Sequence, residues 1–264
     1  MAARAGVGVG VVVPMFNEAL ALPTLVGTLI DTFDRSSTEI FLVDDASSDD
    51  SAGLAERLTR NHENFHVLRL PQHRGKGAAL RAGFARTTAD AVIFMDADLS
   101  TSLEHIEPFL SLLASHDIVI GSRSVPGSSV ERSNALRTAM GRTFNRLMRK
   151  VTDLDVHDSQ CGFKAYRGDV GRLVFALSRT DRFAIDPETL RLATALGYSV
   201  EERPVHWVAG ERSAVRPIRD SLRAAVELCI VRLRTPRRLI HEWAGRSGLP
   251  VPAPVASTAT GTSD

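Results

Sequence analysis

The sequence predicts an α/β fold built on a mostly parallel, doubly wound central sheet flanked by helices. Three observations carry that expectation. Short β-branched runs alternate with segments of helical length over residues 9–120, the runs are apolar throughout, and polar residues collect where they end. Continuously apolar strands belong where both faces of a sheet are covered. A repeated β-α order makes parallel neighbours, and ligands in such sheets sit at the carboxyl ends of the strands.

Taken in order, the expected strands are 9–13, 39–43, 65–70, 91–95 and 117–120, with helices at 19–33, 50–61, 76–87 and 103–115 between them. After residue 120 the pattern loosens into a loop at 121–130, a helix at 133–151 and a second loop at 152–162. Helices at 169–177, 187–196 and 217–234 follow, with one strand at 199–207. Asp186 before Pro187 reads as a helix N-cap with proline at the first helical position. Residues 1–8 are expected to be flexible, 9–244 to form one domain, and 245–264, rich in Pro, Ala, Ser, Thr and Gly, to be a disordered tail.

Composition narrows the function classes. The chain has 264 residues, enough for a full core, and a net charge of +1 gives no global field for nucleic acid. Cys161 and Cys229 are the only cysteines and lie far apart, which suits free thiols in a reducing compartment. The first residues lack signal-peptide anatomy, and no apolar stretch nears the roughly 20 residues of a membrane span.

The strand ends carry the chemistry. Asp96-Ala97-Asp98 places two carboxylates one residue apart after a buried strand, a pattern that holds a hard divalent cation against phosphate oxygens. The plainer alternative is a turn with Asp98 or Ser100 as a helix cap. Asp45 ends the second strand, where a carboxylate can accept a hydrogen bond from a base edge or ribose; Ser48 or Asp49 is the expected cap. Pro14-Met15-Phe16-Asn17-Glu18 reads equally as a turn and helix start. Several acidic strand ends facing one crevice repel one another unless a cation or hydrogen-bond donors intervene.

The order VVVPMFNE, FLVDDASSDDS, RGKGAALRAGF and VIFMDADLS resembles family 2 glycosyltransferases of the GT-A fold, a likeness spanning residues 9–234. Gly121-Ser122-Arg123, the string Asp158-Ser159-Gln160-Cys161-Gly162-Phe163-Lys164, and the segment from Arg182 to Glu188 are most similar to the dolichyl-phosphate β-glucosyltransferases. The resemblance implies a nucleotide-sugar half at 9–120 and an acceptor half at 121–244. Pro14, Asn17, Glu18 and Asp45 would line the nucleoside pocket. Asp96 and Asp98 would hold Mg²⁺ or Mn²⁺ against the diphosphate, with Arg74 and Lys76 near donor phosphates or the base. Residues 74–77 also form a Gly-flanked basic turn opening a helix, whose N-terminus favours anions; a plain strand-to-helix turn is the alternative.

On the acceptor side, Arg123 and Arg132 are candidates for a phosphate, with a structural salt bridge as the alternative for each. Asp158, Gln160 and Lys164 would surround the sugar or acceptor, and Glu188 is grouped with them. Asp98, Asp158, Arg123 and Arg132 form the expected catalytic set, with Asp158 the base if the acceptor is a hydroxyl. The implied reaction is inverting transfer of a hexose, glucose from a UDP-sugar by preference, to a polyprenyl or dolichyl phosphate. The alternative is another sugar moved to a lipid phosphate or hydroxyl.

Charge patterning adds a membrane expectation. In 133–151, Leu136, Met140, Phe144, Leu147, Met148 and Val151 share one helical face, while Arg142, Arg146, Arg149 and Lys150 take the other, a pattern that suits a bilayer interface or, equally, a domain-surface helix packing its apolar face inward. The helix at 217–234 is apolar nearly all round and is followed by Arg237 and Arg238; burial between domains, contact with an anionic leaflet, or contact with a membrane-embedded partner protein would each account for it. The expected place is the cytoplasmic face of a membrane, held peripherally. The processive synthases' Q-x-x-R-W motif is absent, and the glycines at 6, 8 and 10 precede their strand, so the mechanics of dinucleotide binding fail.

Overall fold

The first strand, β1 (Val9–Met15), shows why the runs are apolar throughout: its successive residues serve two different cores. Val12 points to one side of the sheet with Phe41, Val43 and Phe94, while Val11 and Val13 point to the other with Ile40, Leu42, Ile93 and Met95. In this computed structural model the described residues are 8–33, 37–131, 154–208, 227, 229–230 and 237–255. Arg132, the helix expected at 133–151 and most of that expected at 217–234 lie outside them.

Along the chain follow α1 (Leu22–Thr32), β2 (Thr38–Asp44), α2 (Ser51–Thr59), β3 (Phe65–Arg69), α3 (Lys76–Phe84), β4 (Ala91–Met95), α4 (Ile106–Leu112) and β5 (Ile118–Ser122). Then come β6 (Ser129–Glu131), β7 (Phe163–Arg167), α5 (Gly168–Leu177), α6 (Ile185–Ala195), β8 (Val200–Pro204), β9 (His206–Val208) and α7 (Arg237–Arg246). Seven strands form one sheet in the order β3-β2-β1-β4-β7-β5-β8. All run parallel except β7, which is antiparallel to both β4 and β5.

Helices cover both faces. Leu22, Leu25, Val26 and Leu29 of α1 join Ile106 and Phe109 on one side; Leu80 and Phe84 of α3 join Leu173, Phe175, Leu190 and Leu192 on the other. Each such fully buried side chain contributes on the order of 1.5–3 kcal/mol.

Three sequence expectations are corrected. Phe163–Arg167 is a central strand where none was expected, and Ser129–Glu131 forms a strand partly within the expected loop at 121–130. The run at 199–207 divides at Val205. There β8 leaves the main sheet and β9 pairs with β6, as Val205 donates its N–H to Ser122 and accepts one from Ser129. Residues up to Val255, expected to be disordered, lie against the base of the sheet: Tyr198 donates to the carbonyl of Pro252, and Val255 N–H donates to the buried Asp117 carboxylate.

Candidate active site

The carboxyl ends of β1, β2 and β4 meet in one crevice, and each is followed by a residue in the left-handed region. Asn17 (φ 58°), Ala46 (φ 55°) and Leu99 (φ 52°) are the non-glycine residues with positive φ among those described. Asparagine tolerates this conformation; alanine and leucine adopt it at a cost of order 1–3 kcal/mol. Such conformations persist only where the surroundings hold them.

Those surroundings are polar. Asn17 donates its N–H to Ser47 Oγ (2.9 Å), and its side-chain oxygen accepts the N–H groups of Ser48 (2.8 Å) and Asp49 (3.3 Å). Glu18 N–H donates to Ser51 Oγ. The turn after β1 is thus stitched to the turn after β2, so Asn17 works as a splint at the pocket's edge. Pro14 sits within β1 in register with Val43.

Asp45 is engaged by the chain itself. Its Oδ1 accepts Arg74 N–H (2.8 Å), its Oδ2 accepts Gly75 N–H (2.6 Å), and His73 Nδ1 lies 2.8 Å from Oδ2. The carboxylate therefore shapes the turn leading into α3. That turn brings the His73 ring onto Phe16, with centroids 4.0 Å apart. Phe16 is exposed, and the stack forms an aromatic surface at the crevice mouth that sequence reading missed. Two aromatic residues 57 positions apart give no signal in one sequence.

The basic turn is engaged as well. Arg74 forks onto Asp181, which Arg81 engages too. Gly75 and Gly77 face the segment before α6: a Cβ on Gly77 would stand 2.4 Å from the carbonyl oxygen of Thr180. These glycines admit backbone packing. Lys76 alone reaches the crevice, 2.9 Å from Asp96 Oδ1 and 3.5 Å from Asp186 Oδ2.

Asp96 is half-exposed and leans over Gly162, where a Cβ would fall 1.7 Å from its Oδ2, so any larger residue would displace the carboxylate. Asp98 accepts Ser100 N–H (3.0 Å), and the segment after it is braced by β9 through Val208 N–H to Ser100 O. Glu18 completes the group: burial, then the charges of Asp98 and Asp96, raise its carboxyl pKa. Three carboxylates thus share one region with one nearby ammonium.

That donor set suits a hard divalent cation, since it is all oxygen. Among the described residues no three His, Cys, Asp or Glu side chains stand at metal-ligand spacing. The protein would supply Asp96 and Asp98, leaving other positions to phosphate oxygens or water.

The acceptor-side residues are each already engaged. Arg123 forks onto Asp158, Nε to Oδ2 at 2.7 Å and the terminal nitrogen to Oδ1 at 2.9 Å, so the salt-bridge alternative describes its geometry. Burial would raise the Asp158 carboxyl, but the charge and hydrogen bonds of Arg123 outweigh it and hold the pKa down. A buried, ion-paired carboxylate of lowered pKa is a poor general base. Glu188 accepts the N–H groups of Arg179 and Thr180, fixing the loop before α6.

Lys164 is fully buried, donating to the carbonyl of Cys161 and to Asp186 Oδ1, each at 2.5 Å. Asp186 is therefore no N-cap: it lies inside the first turn of α6, between two lysines. Gln160 sits partly buried in the turn before β7. Cys161 beside it is buried, which pushes its thiol up to about 11.

The sequence matches glycosyl transferase family 2 over residues 10–172. It is 29% identical to the dolichyl-phosphate beta-glucosyltransferase of Dictyostelium discoideum, over 85% of this chain and 73% of that protein. The human dolichyl-phosphate beta-glucosyltransferase is 26% identical over 85% of this chain and 74% of its own length. Glycosyltransferase AglD of Haloferax volcanii is 29% identical, with 36% of its length matched. Among solved structures, the glucosyl-3-phosphoglycerate synthase of Mycobacterium tuberculosis, in complex with Mn²⁺, UDP-glucose and phosphoglyceric acid, superposes with a TM-score of 0.62 at 18% identity. The superposition covers 92% of this chain and 81% of that one, and shows the shared GT-A fold.

Proposed function

The chain belongs to glycosyl transferase family 2, and from that premise we propose that it transfers glucose from UDP-glucose to a polyprenyl phosphate of the dolichyl type, with inversion. The observation that carries the donor half is the convergence of Glu18, Asp96 and Asp98 on one crevice with Lys76 beside them. The nucleobase stacks on Phe16 and His73, and the diphosphate lies toward Asp96, Asp98 and Lys76. Asp96 and Asp98 would hold a divalent cation, which would supply charge neutralisation for the departing nucleoside diphosphate.

The acceptor half rests on the resemblance to dolichyl-phosphate beta-glucosyltransferases and on the state of Asp158. An acceptor phosphate oxygen forms the bond to the anomeric carbon as the bond to the diphosphate oxygen breaks. The phosphate is already an anion, so no proton needs removing. A hydroxyl acceptor would need a carboxylate base, and Asp158 and Glu188 are both engaged. A lipid acceptor places the enzyme peripherally at a membrane surface, on the cytoplasmic face if its donor is a cytosolic nucleotide sugar. Among the described residues no helix is long and apolar enough to cross a membrane.

The test is a donor screen against polyprenyl phosphate, with the lipid product read by mass spectrometry. UDP-glucose should give the hexosyl phosphate lipid. Product formed from another donor would correct the sugar, and product formed only on hydroxyl acceptors would overturn the lipid-phosphate assignment.

A further inference from the structure

Lys76 and Asp186 stand in an arrangement that a simple phosphate contact does not require. The Lys76 ammonium is shared between two carboxylates, Asp96 at 2.9 Å and Asp186 at 3.5 Å. Asp186 gives its other oxygen to Lys164, at 2.5 Å. Both ammoniums lie over the Phe94 ring, 5.1 Å and 4.8 Å from its centroid. The backbone at Lys76 is fixed: Gly75 donates to Asp45, and Gly77 abuts the carbonyl of Thr180. Only the side chain is left to redistribute between its two partners.

We infer that Lys76 couples cation binding to diphosphate binding, with Asp186 as the positioning residue that holds it. The inference rests on the metal and diphosphate reading above. A divalent cation arriving alone at Asp96 meets an ammonium already on that carboxylate, and like charges repel. A cation arriving with a diphosphate brings anionic oxygens that Lys76 can contact, so the same ammonium now favours binding. Asp186 keeps Lys76 within reach throughout and draws part of its charge away from Asp96. The crevice therefore discriminates against a bare cation and accepts a cation–nucleotide pair.

The experiment titrates Mn²⁺ into the protein with and without UDP, reading free Mn²⁺ by electron paramagnetic resonance. Lys76→Met should tighten binding of Mn²⁺ alone by roughly threefold to tenfold, the order of a partly screened charge pair. The same variant should weaken Mn²⁺ binding in the presence of UDP by roughly tenfold. Lys76→Arg keeps the charge and should keep the coupling. Asp186→Asn leaves Lys76 with Asp96 alone and should weaken binding of Mn²⁺ without nucleotide. Circular dichroism establishes that each variant is folded, and Lys76→Met decides the matter if Asp186→Asn is not. Effects of the same sign with and without UDP, or no effect, overturn the inference while leaving the metal site standing. Wild-type protein that binds no Mn²⁺ even with UDP overturns both.

Discussion

The two sides of the sheet's carboxyl edge treat their carboxylates in opposite ways. On the proposed donor side, at the ends of β1 and β4, Glu18, Asp96 and Asp98 crowd together with the one ammonium of Lys76 on Asp96, and burial with the charges of Asp98 and Asp96 raises the Glu18 carboxyl pKa. On the acceptor side, each carboxylate has what it needs. Asp158 has Arg123, Glu188 has two backbone amides, and Asp186 has two lysines. On the proposed reading, uncompensated repulsion belongs to the residues that would meet the ligand, and complete pairing to those that would position it. Residue type alone does not separate the two.

The largest effect should come from the crowded side. Asp96→Asn is expected to lower turnover of a radiolabelled donor by roughly 100-fold or more. Its thermal midpoint should stay near that of the wild type, because the lost group is half-exposed. Asp158→Asn should invert that signature: breaking a buried fork with Arg123 costs about 2–4 kcal/mol, read as a lower midpoint in urea unfolding. If Asp158→Asn instead left stability intact and abolished turnover, the contrast between the two sides would fail.

Gly162→Ala sharpens the comparison, because it touches Asp96 from the acceptor side. A methyl group there would collide with the Asp96 carboxylate. Weakened Mn²⁺ binding in the presence of UDP, by roughly tenfold, is expected from the displaced ligand. The smallest effect is in pH dependence. Glu18 has a folded-state pKa above its unfolded value, so folding favours its protonated form. Its penalty is absent below the unfolded pKa of 4.5 and grows as pH rises through the folded pKa. A cation near Asp96 and Asp98 should offset it, so Mn²⁺ should raise the melting temperature more at pH 7 than at pH 4. An equal rise at both would separate Glu18 from the cation site.

The sheet was legible where its signal is local. All five strands read from residues 9–120 are present within a few residues of their expected ends, because β-branched runs and turn residues carry that information themselves. The strand at Phe163–Arg167 was not, since a lysine at its second position argues against burial until its partner is known. That partner, Asp186, lies 22 positions later and looked like a cap. The strand-end acidic residues were legible as a set, but their division of labour was not. Asp45 holds a turn and Asp96 faces the crevice, and the difference lies in which backbone amides come near. Arg123 shows the same limit from the other sign of charge: a guanidinium suits a phosphate or a carboxylate, and only the fold shows that Asp158 took it.

The three left-handed residues at the strand ends have a further consequence, for how this chain can be made hardier. Ala46 and Leu99 each keep a side chain where glycine would sit without clash, so the crevice at the ends of β2 and β4 stores strain that the strands themselves do not. Relaxing those positions to glycine would trade stiffness for ease at the very turns that the proposed donor site needs held in place. Heat resistance and catalytic readiness therefore compete at the same few backbone angles, and engineering for one is safest at the far end of the sheet.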